Sequence, residues 1–523
     1  MTHFPGHTAC RKNDRPRGST FSRFIAGRCA LVAVALLVIL AAACMTPARA
    51  ADIKTIDLGK KVEVWFAEDH TVPIVSFNIS LPAGSAYDPA DKAGLAAFAG
   101  AMIDEGAGGL NSKAFHEALA NRAIRFSARA DRDWLVISVT SLSKNVPEAL
   151  HLLQLALTRP RFDADALTRV RAQFIQSLQQ DQAEPDRLAA KAFMRDFFNG
   201  HPYGHATTGD IASIKAISAA DLRGFARTHW VKNGLKIAVA GDITAAEAQK
   251  LLGTTFTPVS GAAVPPPPNV GKLGRPGVHV EPLPVPQATA VFGLPGIMRH
   301  NPDFIPGYVA NYILGGGGFS SRLMDEVRVK RGLTYGVSTS LSSMNKASVL
   351  VGSVATRADA IRQTVQVVRQ TMARFAKDGP TQQELDDAKT YLTGSFPLAF
   401  ASNSGTAAQL GTFQRQNLDI GYVARRNGLI NAVTLADVRR VARKLFDPAK
   451  MTVVIGGTPV EAGKVPQRPK PPVRPEPHQP PVASQGRPQG QPRVPTGPAK
   501  PVEKPGQPAA TSPSTSPGSA KKP

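Results

Sequence analysis

Apolar residues follow two different periods along the chain, which separate predicted strands from predicted helices. The stretch KVEVWFAE alternates between apolar and polar positions, and Val72–Leu81 is rich in β-branched and aromatic residues, so both predict strands. Gly277–Gly296 has the same character later in the chain. Between and after these segments, apolar residues recur at helical spacing in NVPEALHLLQLALTRP, ADALTRVRAQFIQSLQQDQAEP and DAIRQTVQVVRQTMARFAKDG. The pattern predicts an α+β protein.

A long internal repeat divides this pattern into two halves. Ile217–Asp242 aligns without a gap with Val433–Thr458, at a constant offset of 216 (433 − 217 = 216). Each segment has a Ser or Thr before an amphipathic helix, then a short turn and an apolar run that ends at Gly. A repeat of this length implies two similar domains of about 200 residues. The predicted boundaries are 51–256 for the first domain, 257–276 for a Pro/Gly-rich linker and 277–462 for the second.

The N-terminal segment has the pattern of a secretory signal peptide. A long basic region precedes the apolar run Ala30–Ala43, and the sequence ARA at 48–50 is a small-residue cleavage signal. Residues 1–50 are therefore predicted to be removed, which sends the mature chain across the inner membrane to a periplasm. A lipid anchor on Cys44 is a weaker alternative. All three cysteines lie within this segment, so the mature chain is expected to have no disulfide and no thiolate chemistry.

The C-terminal segment 463–523 is predicted to be a disordered basic tail. Of its 61 residues 18 are Pro, and none is Phe, Tyr or Trp, so it has little apolar surface to bury. It is expected to be an inert tether or to make a weak contact with an anionic envelope surface. The net charge of +23 is concentrated in the two terminal segments, and no Lys/Arg cluster with interleaved aromatics appears between them. We therefore expect no nucleic-acid partner.

The helix predicted near residue 92 is built mostly of small residues, AGLAAFAGAMIDEG at 93–106. Together with the strand pairs, the tandem repeat and the leader, it resembles the insulinase/pitrilysin-type (inverzincin) metallopeptidases, which include the mitochondrial processing peptidases. The resemblance covers nearly all of residues 52–460. It implies two similar domains, each with a sheet of antiparallel type covered by helices.

Catalytic members of that family carry His-x-x-Glu-His on this helix, within a frame like Gly-Leu-Ala-His-Phe-x-Glu-His-Met. The two His residues bind Zn²⁺, and the Glu activates the zinc-bound water. Here the frame is kept, but the three chemical positions hold Ala97, Gly100 and Ala101. The distal Glu ligand would lie on a later helix, near Gln176, and the first carboxylate there, Asp181, comes about one turn late. The resemblance therefore implies an emptied zinc site, with a void at the small residues and no metal held by this chain.

The segment LGGGGFSSRLMDEVRVKRGLTYGV, at 314–337, resembles the second-domain signature of the same family. There an Arg and a Tyr hold the substrate backbone and stabilise the developing oxyanion, and the matching positions here are Arg328 and Tyr335. The alternative is that both residues are structural, with Arg328 on the surface of a helix and Tyr335 in the core as part of a strand. The glycine-rich segment before them is either a helix end with a tight turn or a flexible substrate-contacting loop, and a phosphate loop is disfavoured. Its candidate substrate-binding residues are Gly315, Gly316, Gly317, Gly318 and Phe319.

The remaining acids and histidines are interpreted as structural. Asp104 and Glu105 are expected to be surface acids at a helix C-terminus. His116 lies on a predicted helix with no ligand partner nearby in sequence, and the HPYGH segment places His201 and His205 in a loop. No Gly-x-Ser-x-Gly elbow is present, so a serine hydrolase has no local support.

These observations lead to one principal hypothesis and one rival. The first is a zinc-free, peptidase-like subunit that is inactive alone and pairs with a zinc-bearing chain of the same family. It would supply Arg328 and Tyr335 for the hydrolysis of peptides in the complex. The rival is a non-enzymatic periplasmic peptide-binding or scaffold protein on an inactivated peptidase fold. A zinc peptidase with relocated ligands is a third, weaker alternative.

Overall fold

The computed structural model describes residues 53–59, 62–262, 264–461 and 463–464. The predicted leader 1–50 lies outside these residues, as does all of the predicted tail beyond 464, so both stay predictions. Within the described ranges, no helix combines the length and the hydropathy needed to cross a membrane.

The first half contains eight strands and eight helices in the described residues. The strands are β1 (Ile53–Asp57), β2 (Glu63–Glu68), β3 (Ile74–Leu81), β4 (Gly106–Ala107), β5 (Leu110–Asn111), β6 (Arg125–Ala130), β7 (Leu135–Leu142) and β8 (Lys236–Gly241). The helices are α1 (Leu95–Ala101), α2 (Ser112–Asn121), α3 (Val146–Thr158), α4 (Ala164–Asp181), α5 (Pro185–Phe198), α6 (Ile211–Ala216), α7 (Ala219–His229) and α8 (Ala245–Phe256).

The second half repeats this plan. Its strands are β9 (Gly277–Glu281), β10 (Gln287–Pro295), β11 (Val337–Ser343), β12 (Ser348–Arg357) and β13 (Thr452–Gly456). Its helices are α9 (Phe304–Asn311), α10 (Ile361–Asp378), α11 (Gln382–Gly394), α12 (Asn403–Arg415), α13 (Tyr422–Asn431) and α14 (Leu435–Leu445), with π-helical turns at Tyr312–Gly316 and Met324–Val329.

The two main sheets have the same topology. The strand order is β1-β2-β8-β3-β7-β6 in the first sheet and β11-β12-β10-β13-β9 in the second, so β9 to β13 match β2, β3, β6, β7 and β8. In each sheet one pair is parallel, β2 with β8 and β9 with β13, and the other pairs are antiparallel. Helices α7 and α14 occupy matching positions, and each begins after a capping box, at Ser218 and at Thr434. The predicted fold of two similar α+β domains with mostly antiparallel sheets is confirmed.

Each half covers the sheet of the other half with one helix. Helix α5 packs on β10 and β13 of the second sheet, and helix α12 packs on β3 and β8 of the first. One apolar cluster joins Phe193 and Phe197 of α5 to Val291 and Val454 of the second sheet. A second cluster places Leu410 of α12 among residues of the first sheet. Both faces of each central strand are therefore covered, which explains why β3 and β10 are almost wholly buried.

Glycines permit the close approach of these exchanged helices. A Cβ atom on Gly456 of β13 would overlap the carbonyl oxygen of Pro185 at the start of α5. A Cβ atom on Gly411 of α12 would overlap the Asn78 side chain on β3. Since neither glycine has a left-handed backbone, its role is the absence of a side chain.

Buried polar groups fix the register between the halves. Arg415 of α12 donates to Asn78 Oδ1 at 3.0 Å and to Ser80 Oγ at 2.8 Å, which satisfies the polar face of β3. Asp133 accepts from the Tyr203 hydroxyl at 2.5 Å and from the Asn345 amide at 2.9 Å. Burial raises the pKa of Asp133, since these two hydrogen bonds offset only part of the desolvation. A shift of one half against the other would break these hydrogen bonds. It would be unfavourable, because each broken bond leaves a buried polar atom unpaired.

We predict that Gly456→Ala destabilises the chain by about 3 kcal/mol or more, because the new methyl group meets backbone atoms of Pro185 that cannot rotate away. The matched control is Gly428→Ala within α13, where a Cβ atom meets nothing within 4 Å and the gain in helix propensity is about 1 kcal/mol. Urea unfolding midpoints measure both changes. Equal effects of the two substitutions would contradict the close approach of α5.

Candidate functional site

Helix α1 contains the three positions at which the family's zinc chemistry was expected. It begins after Gly94, whose backbone is left-handed with φ of 92°. The Asp88 carboxylate accepts from the backbone amides of Gly94 and Ala96, both at 2.8 Å, and so satisfies two free donors of the first turn. Burial nevertheless raises the pKa of Asp88 to about 7. Phe98 is fully buried, so the helix is a packed part of the core.

The zinc positions on α1 hold no donor, and apolar packing replaces them. Ala97, Gly100 and Ala101 have no ligating side-chain atom, so these residues do not fit a zinc ion. The expected void is wrong at Gly100, because Leu135 Cδ1 of β7 lies 2.9 Å from the place of a Cβ atom there. The fully buried Leu135 side chain thus occupies the space that a glutamate would need.

Helix α4 does pack against α1, as the helix of a distal ligand would. It presents Phe174, whose ring lies 5.3 Å from the ring of Phe98. The guanidinium of Arg171 lies 5.8 Å from the same ring. Gln176 is exposed and Asp181 is only half-buried at the end of the helix. The contact between the two helices is therefore aromatic and cationic, and α4 offers no carboxylate at that contact.

A cluster of charged residues follows α1. The Glu105 side chain is paired with the Arg169 guanidinium through both of its oxygens and accepts from Ser112 Oγ at 2.5 Å. His116 Nε2 lies 3.7 Å from Asp104 Oδ2. Although burial raises the pKa of Glu105, the hydrogen bonds from Arg169 and Ser112 outweigh it and lower that pKa. The expectation that Glu105 is a surface acid is wrong, because the residue is 7% exposed and forms an ion pair.

The same cluster brings three candidate metal ligands together. Single ligand atoms of Asp104, Glu105 and His116 lie within 4.8 Å of one another. Glu105, however, is neutralised by Arg169, and a divalent cation would have to displace that guanidinium. The His116 Nδ1 atom is 2.9 Å from the carbonyl of Ser112. We therefore interpret the cluster as a structural ion-pair network that anchors the end of α1 to α2 and α4.

The glycine-rich segment of the second half is tightly packed over its first part. A Cβ atom on Gly315 would overlap Thr339 Oγ1, and one on Gly316 would lie 2.9 Å from Asn311 Nδ2. Gly317 lies against the ring of Tyr312. Only Gly318 has a left-handed backbone, with φ of 57° and open space at its Cβ position. The segment is thus a packed π-helical turn that ends in a glycine-dependent bend.

This bend exposes an aromatic residue. Phe319 is 74% exposed, and the Arg328 guanidinium lies 4.6 Å from the centre of its ring. Such a cation–π contact orients the guanidinium without neutralising it. Within the described ranges, Arg328 has no ion pair with a carboxylate.

Tyr335 is also exposed, at 88%, so the alternative that makes it a strand core residue is wrong. The side chain of the preceding Thr334 holds its loop: the hydroxyl lies 2.8 Å from the carbonyl of Gly336 and 2.7 Å from that of Ala355. The structure places Phe319 and Arg328 together. Among the described residues, the Tyr335 ring contacts neither of them.

A second charged cluster anchors the π-helical turn that carries Arg328. Glu326 accepts from Lys330 at 2.8 Å, from Arg331 at 2.7 Å and from Arg374 of α10 at 3.0 Å. The hydrogen bond from Lys330 is the largest cause that lowers the pKa of Glu326, to about 2. These contacts fix the backbone around Arg328, and the half-buried Arg328 side chain lies against the Phe319 ring.

Comparison with known proteins places these features in a family. The family model described as Insulinase (Peptidase family M16) matches residues 63–211, and the model described as Peptidase M16 inactive domain matches residues 216–392. A crystal structure of a peptidase M16 inactive domain from Pseudomonas fluorescens is 30% identical, with a TM-score of 0.75, and covers 79% of this chain and 100% of that chain. The chain belongs to the insulinase family, peptidase family M16.

Two further proteins are similar to this chain. A non-peptidase homolog, YmxG of Helicobacter pylori, is 28% identical over 65% of this chain and 78% of its own length. A crystal structure of a protease from Helicobacter pylori has a TM-score of 0.69 at 17% identity, covers 78% of this chain and 100% of that chain, and therefore supports the fold alone.

Sequence reasoning missed two features of this site. One is the ion pair of Glu105 with Arg169, which are 64 positions apart, and the other is Leu135 filling the space at Gly100. Glu105 and Arg169 can both be read from the sequence, but no local pattern indicates that they form an ion pair. The close approach of Leu135 had one signal in the sequence, which is the presence of a glycine, Gly100, inside a predicted helix.

We predict that the effect of Gly100→Ala on the free energy of unfolding changes sign when the Leu135 side chain is removed. In the natural chain the overpacking against Leu135 costs about 1–3 kcal/mol and outweighs a gain in helix propensity of about 1 kcal/mol. In a Leu135→Ala background the same change should be stabilising. A double-mutant cycle by urea unfolding measures this coupling, with Gly224→Ala on α7, where nothing lies within 4 Å, as the control that stabilises in both backgrounds.

We predict that Arg169→Ala destabilises the chain by about 2–3 kcal/mol at neutral pH, because it leaves the buried Glu105 carboxylate unpaired. The pKa of Glu105 is lowered in the folded chain, so its pairing stabilises above the ordinary carboxyl pKa and is lost as the pH falls through the folded value. The penalty of Arg169→Ala should therefore shrink in acid. Lys113→Ala, which removes an exposed pair with Glu117, is the control and should cost under about 1 kcal/mol. A pH-independent penalty would argue against the ion pair.

Proposed function

We propose that this chain is a zinc-free, peptidase-like subunit that acts with a separate zinc-bearing chain of the insulinase family. It has no peptidase activity alone and supplies Arg328 and Tyr335 to peptide hydrolysis in the complex. The zinc ion belongs to the partner chain, and the substrates are peptides. The observation that carries the proposal is the contrast between an α1 helix without donors and a second half that has a half-buried Arg328 without a carboxylate partner and an exposed Tyr335.

The state of α1 supports the absence of activity in the isolated chain. The positions of the two zinc-binding His residues and of the Glu are Ala97, Ala101 and Gly100, and Leu135 fills the space at the last of these. Restoring a site would require several new side chains and a repacked strand. Similar proteins support the same conclusion, because a Helicobacter pylori relative is named a non-peptidase homolog and a Pseudomonas fluorescens structure is described as an inactive domain.

The exposed residues of the second half support a role for this chain in a complex. Phe319 and Tyr335 each leave most of an aromatic side chain in water. The guanidinium of Arg328 is oriented over Phe319 but stays without a carboxylate partner in the described ranges. Aromatic residues and Arg are also the residues most enriched at protein interfaces.

The chemistry of these groups suits a peptide carbonyl. A guanidinium and a phenol are fixed hydrogen-bond donors, and each can hold a carbonyl oxygen as it becomes negative. The ion-pair network around Glu326 keeps the backbone of Arg328 in place, so little ordering remains to be done when a peptide binds. We assign Phe319 and the exposed Gly318 to contact with the substrate beside Arg328, while the buried Gly315 packs against Thr339 and takes no part in that contact.

The complex is proposed to work in a periplasm, where the predicted cleavage after residue 50 would deliver the mature chain. The predicted tail, 463–523, would then tether the chain or contact an anionic envelope surface weakly. The rival function is a peptide-binding scaffold without catalysis. It shares the emptied α1 helix but gives Arg328 no part in any reaction.

The test combines the purified chain with the product of a neighbouring gene that encodes His-x-x-Glu-His. The chain alone should not cleave peptides, and the complex should. Arg328→Ala or Tyr335→Phe should lower kcat of the complex by about 10²-fold, while the zinc content of the complex stays unchanged.

The control variant is Arg362→Ala, which removes an exposed Arg from α10 of the same domain and should leave the rate unchanged. Zinc-dependent cleavage by the isolated chain would refute the inactive subunit. An active complex with unchanged rates in both site variants would refute the assigned roles. If no zinc-bearing chain associates, the scaffold function is the better account.

A further inference from the structure

A basic cavity lies on the first half, formed by segments that take no part in the site described above. It has a volume of about 380 Å³ and lies between the end of α3, helix α7 and the segment that follows α8. Its charged lining residues are Arg159, Arg223 and Arg227, and no acidic residue lines it. The volume falls within the range of small-ligand sites, which is about 300–1,000 Å³.

The three arginines are available for a ligand. All are exposed, and none forms an ion pair with any described carboxylate. Other arginines of this surface do have such partners, as Arg440 has with Asp303 at 2.5 Å. Three unpaired guanidinium groups around one cavity repel one another, and an oxyanion would relieve this repulsion.

Trp230 adds a second, independent observation. It lines the cavity and is 2% exposed, and its indole Nε1 is buried with no hydrogen-bond partner among the described residues. A buried N–H group without an acceptor costs about 1–3 kcal/mol. The ring itself is packed, with the ring of Phe162 at 6.1 Å.

The internal repeat shows that packing alone does not require this indole. At the matching place after α14 the chain has Phe446, which is fully buried and packs edge-on against Phe375 at 5.4 Å. In that copy, the stem of Arg439 lies against Gly379, and its guanidinium donates to the carbonyl of Pro380. The first copy therefore has an indole N–H group where the second copy has a side chain without a donor.

We propose that this cavity binds a small ligand that carries a phosphate group on an apolar body. The guanidinium groups of Arg223 and Arg227 would hold the phosphate oxygens, and the Trp230 side chain forms part of the cavity wall beside them. The apolar part of the ligand would lie against Pro160 and Val259, which also line the cavity. The phosphate could be free in solution or belong to a lipid headgroup, and the two sources are separable by experiment.

The indole N–H signals provide a direct test, because the chain has only three tryptophans, Trp65, Trp134 and Trp230. In the purified chain labelled with ¹⁵N-tryptophan, phenyl phosphate should shift one indole signal, the one that Trp230→Phe removes, with a Kd of about 1 mM or below. Phenol, which lacks the phosphate, should cause no shift. Vesicles of phosphatidylglycerol, compared with vesicles of phosphatidylcholine, show whether a lipid headgroup is the source.

Arg227→Ala should weaken the binding of phenyl phosphate roughly tenfold, because one charge-assisted contact is lost. The matched control is Arg443→Ala, at the equivalent exposed position of α14, which should leave binding unchanged. No shift of the Trp230 signal with phenyl phosphate or with phosphatidylglycerol would overturn the proposal. An equal loss in both arginine variants would also overturn it, since it would show attraction by overall charge alone.

Discussion

The exchange of one helix between the two halves is the packing constraint on which the rest of the structure depends. Helix α5 of the first half closes the second sheet, and helix α12 of the second half closes the first. Gly456 and Gly411 allow backbones to approach closely at these two contacts, and Arg415 satisfies the polar face of β3. Neither sheet has a complete core without the other half, so the two similar domains are expected to fold as one unit.

This constraint explains how helix α1 keeps its place without any ligating side chain. Helix α1 is packed through Phe98 and held at its start by Asp88, and neither residue belongs to a zinc site. Small residues at Ala97, Gly100 and Ala101 are therefore compatible with the fold, and Leu135 fills the space at Gly100. The second half meanwhile presents Phe319 and Tyr335 to solvent without support from α1.

Local patterns predicted much of the fold. The alignment at an offset of 216 anticipated matching helices α7 and α14 and matching strands β8 and β13. An amphipathic pattern shows that a helix has an apolar face, but it does not show which sheet that face covers. The exchange of α5 and α12 therefore could not be predicted from the sequence. The same is true of the contact of Asp133 with Asn345, which are 212 positions apart. Strand β1 was also missed, because its polar residues lie on an exposed edge of the sheet.

In the candidate site as well, some features can be predicted from a local motif and others depend on contacts between distant residues. Ala97, Gly100 and Ala101 could be found from a motif frame, because the frame and the missing ligands share one helix. The exposure of Tyr335 could not, because it depends on Thr334 bonding across to β12. Likewise, the pairing of Glu105 with Arg169 depends on α4 crossing behind α1.

The most direct test of the central claim is the zinc content of the purified chain after equilibration with zinc and removal of the excess. We expect far less than one zinc ion per chain, because α1 offers no donor and Arg169 holds Glu105. One tightly bound zinc ion per chain would contradict the claim that this chain holds no zinc. Loss of that ion in Asp104→Asn or His116→Ala would show that the charged cluster after α1 binds it.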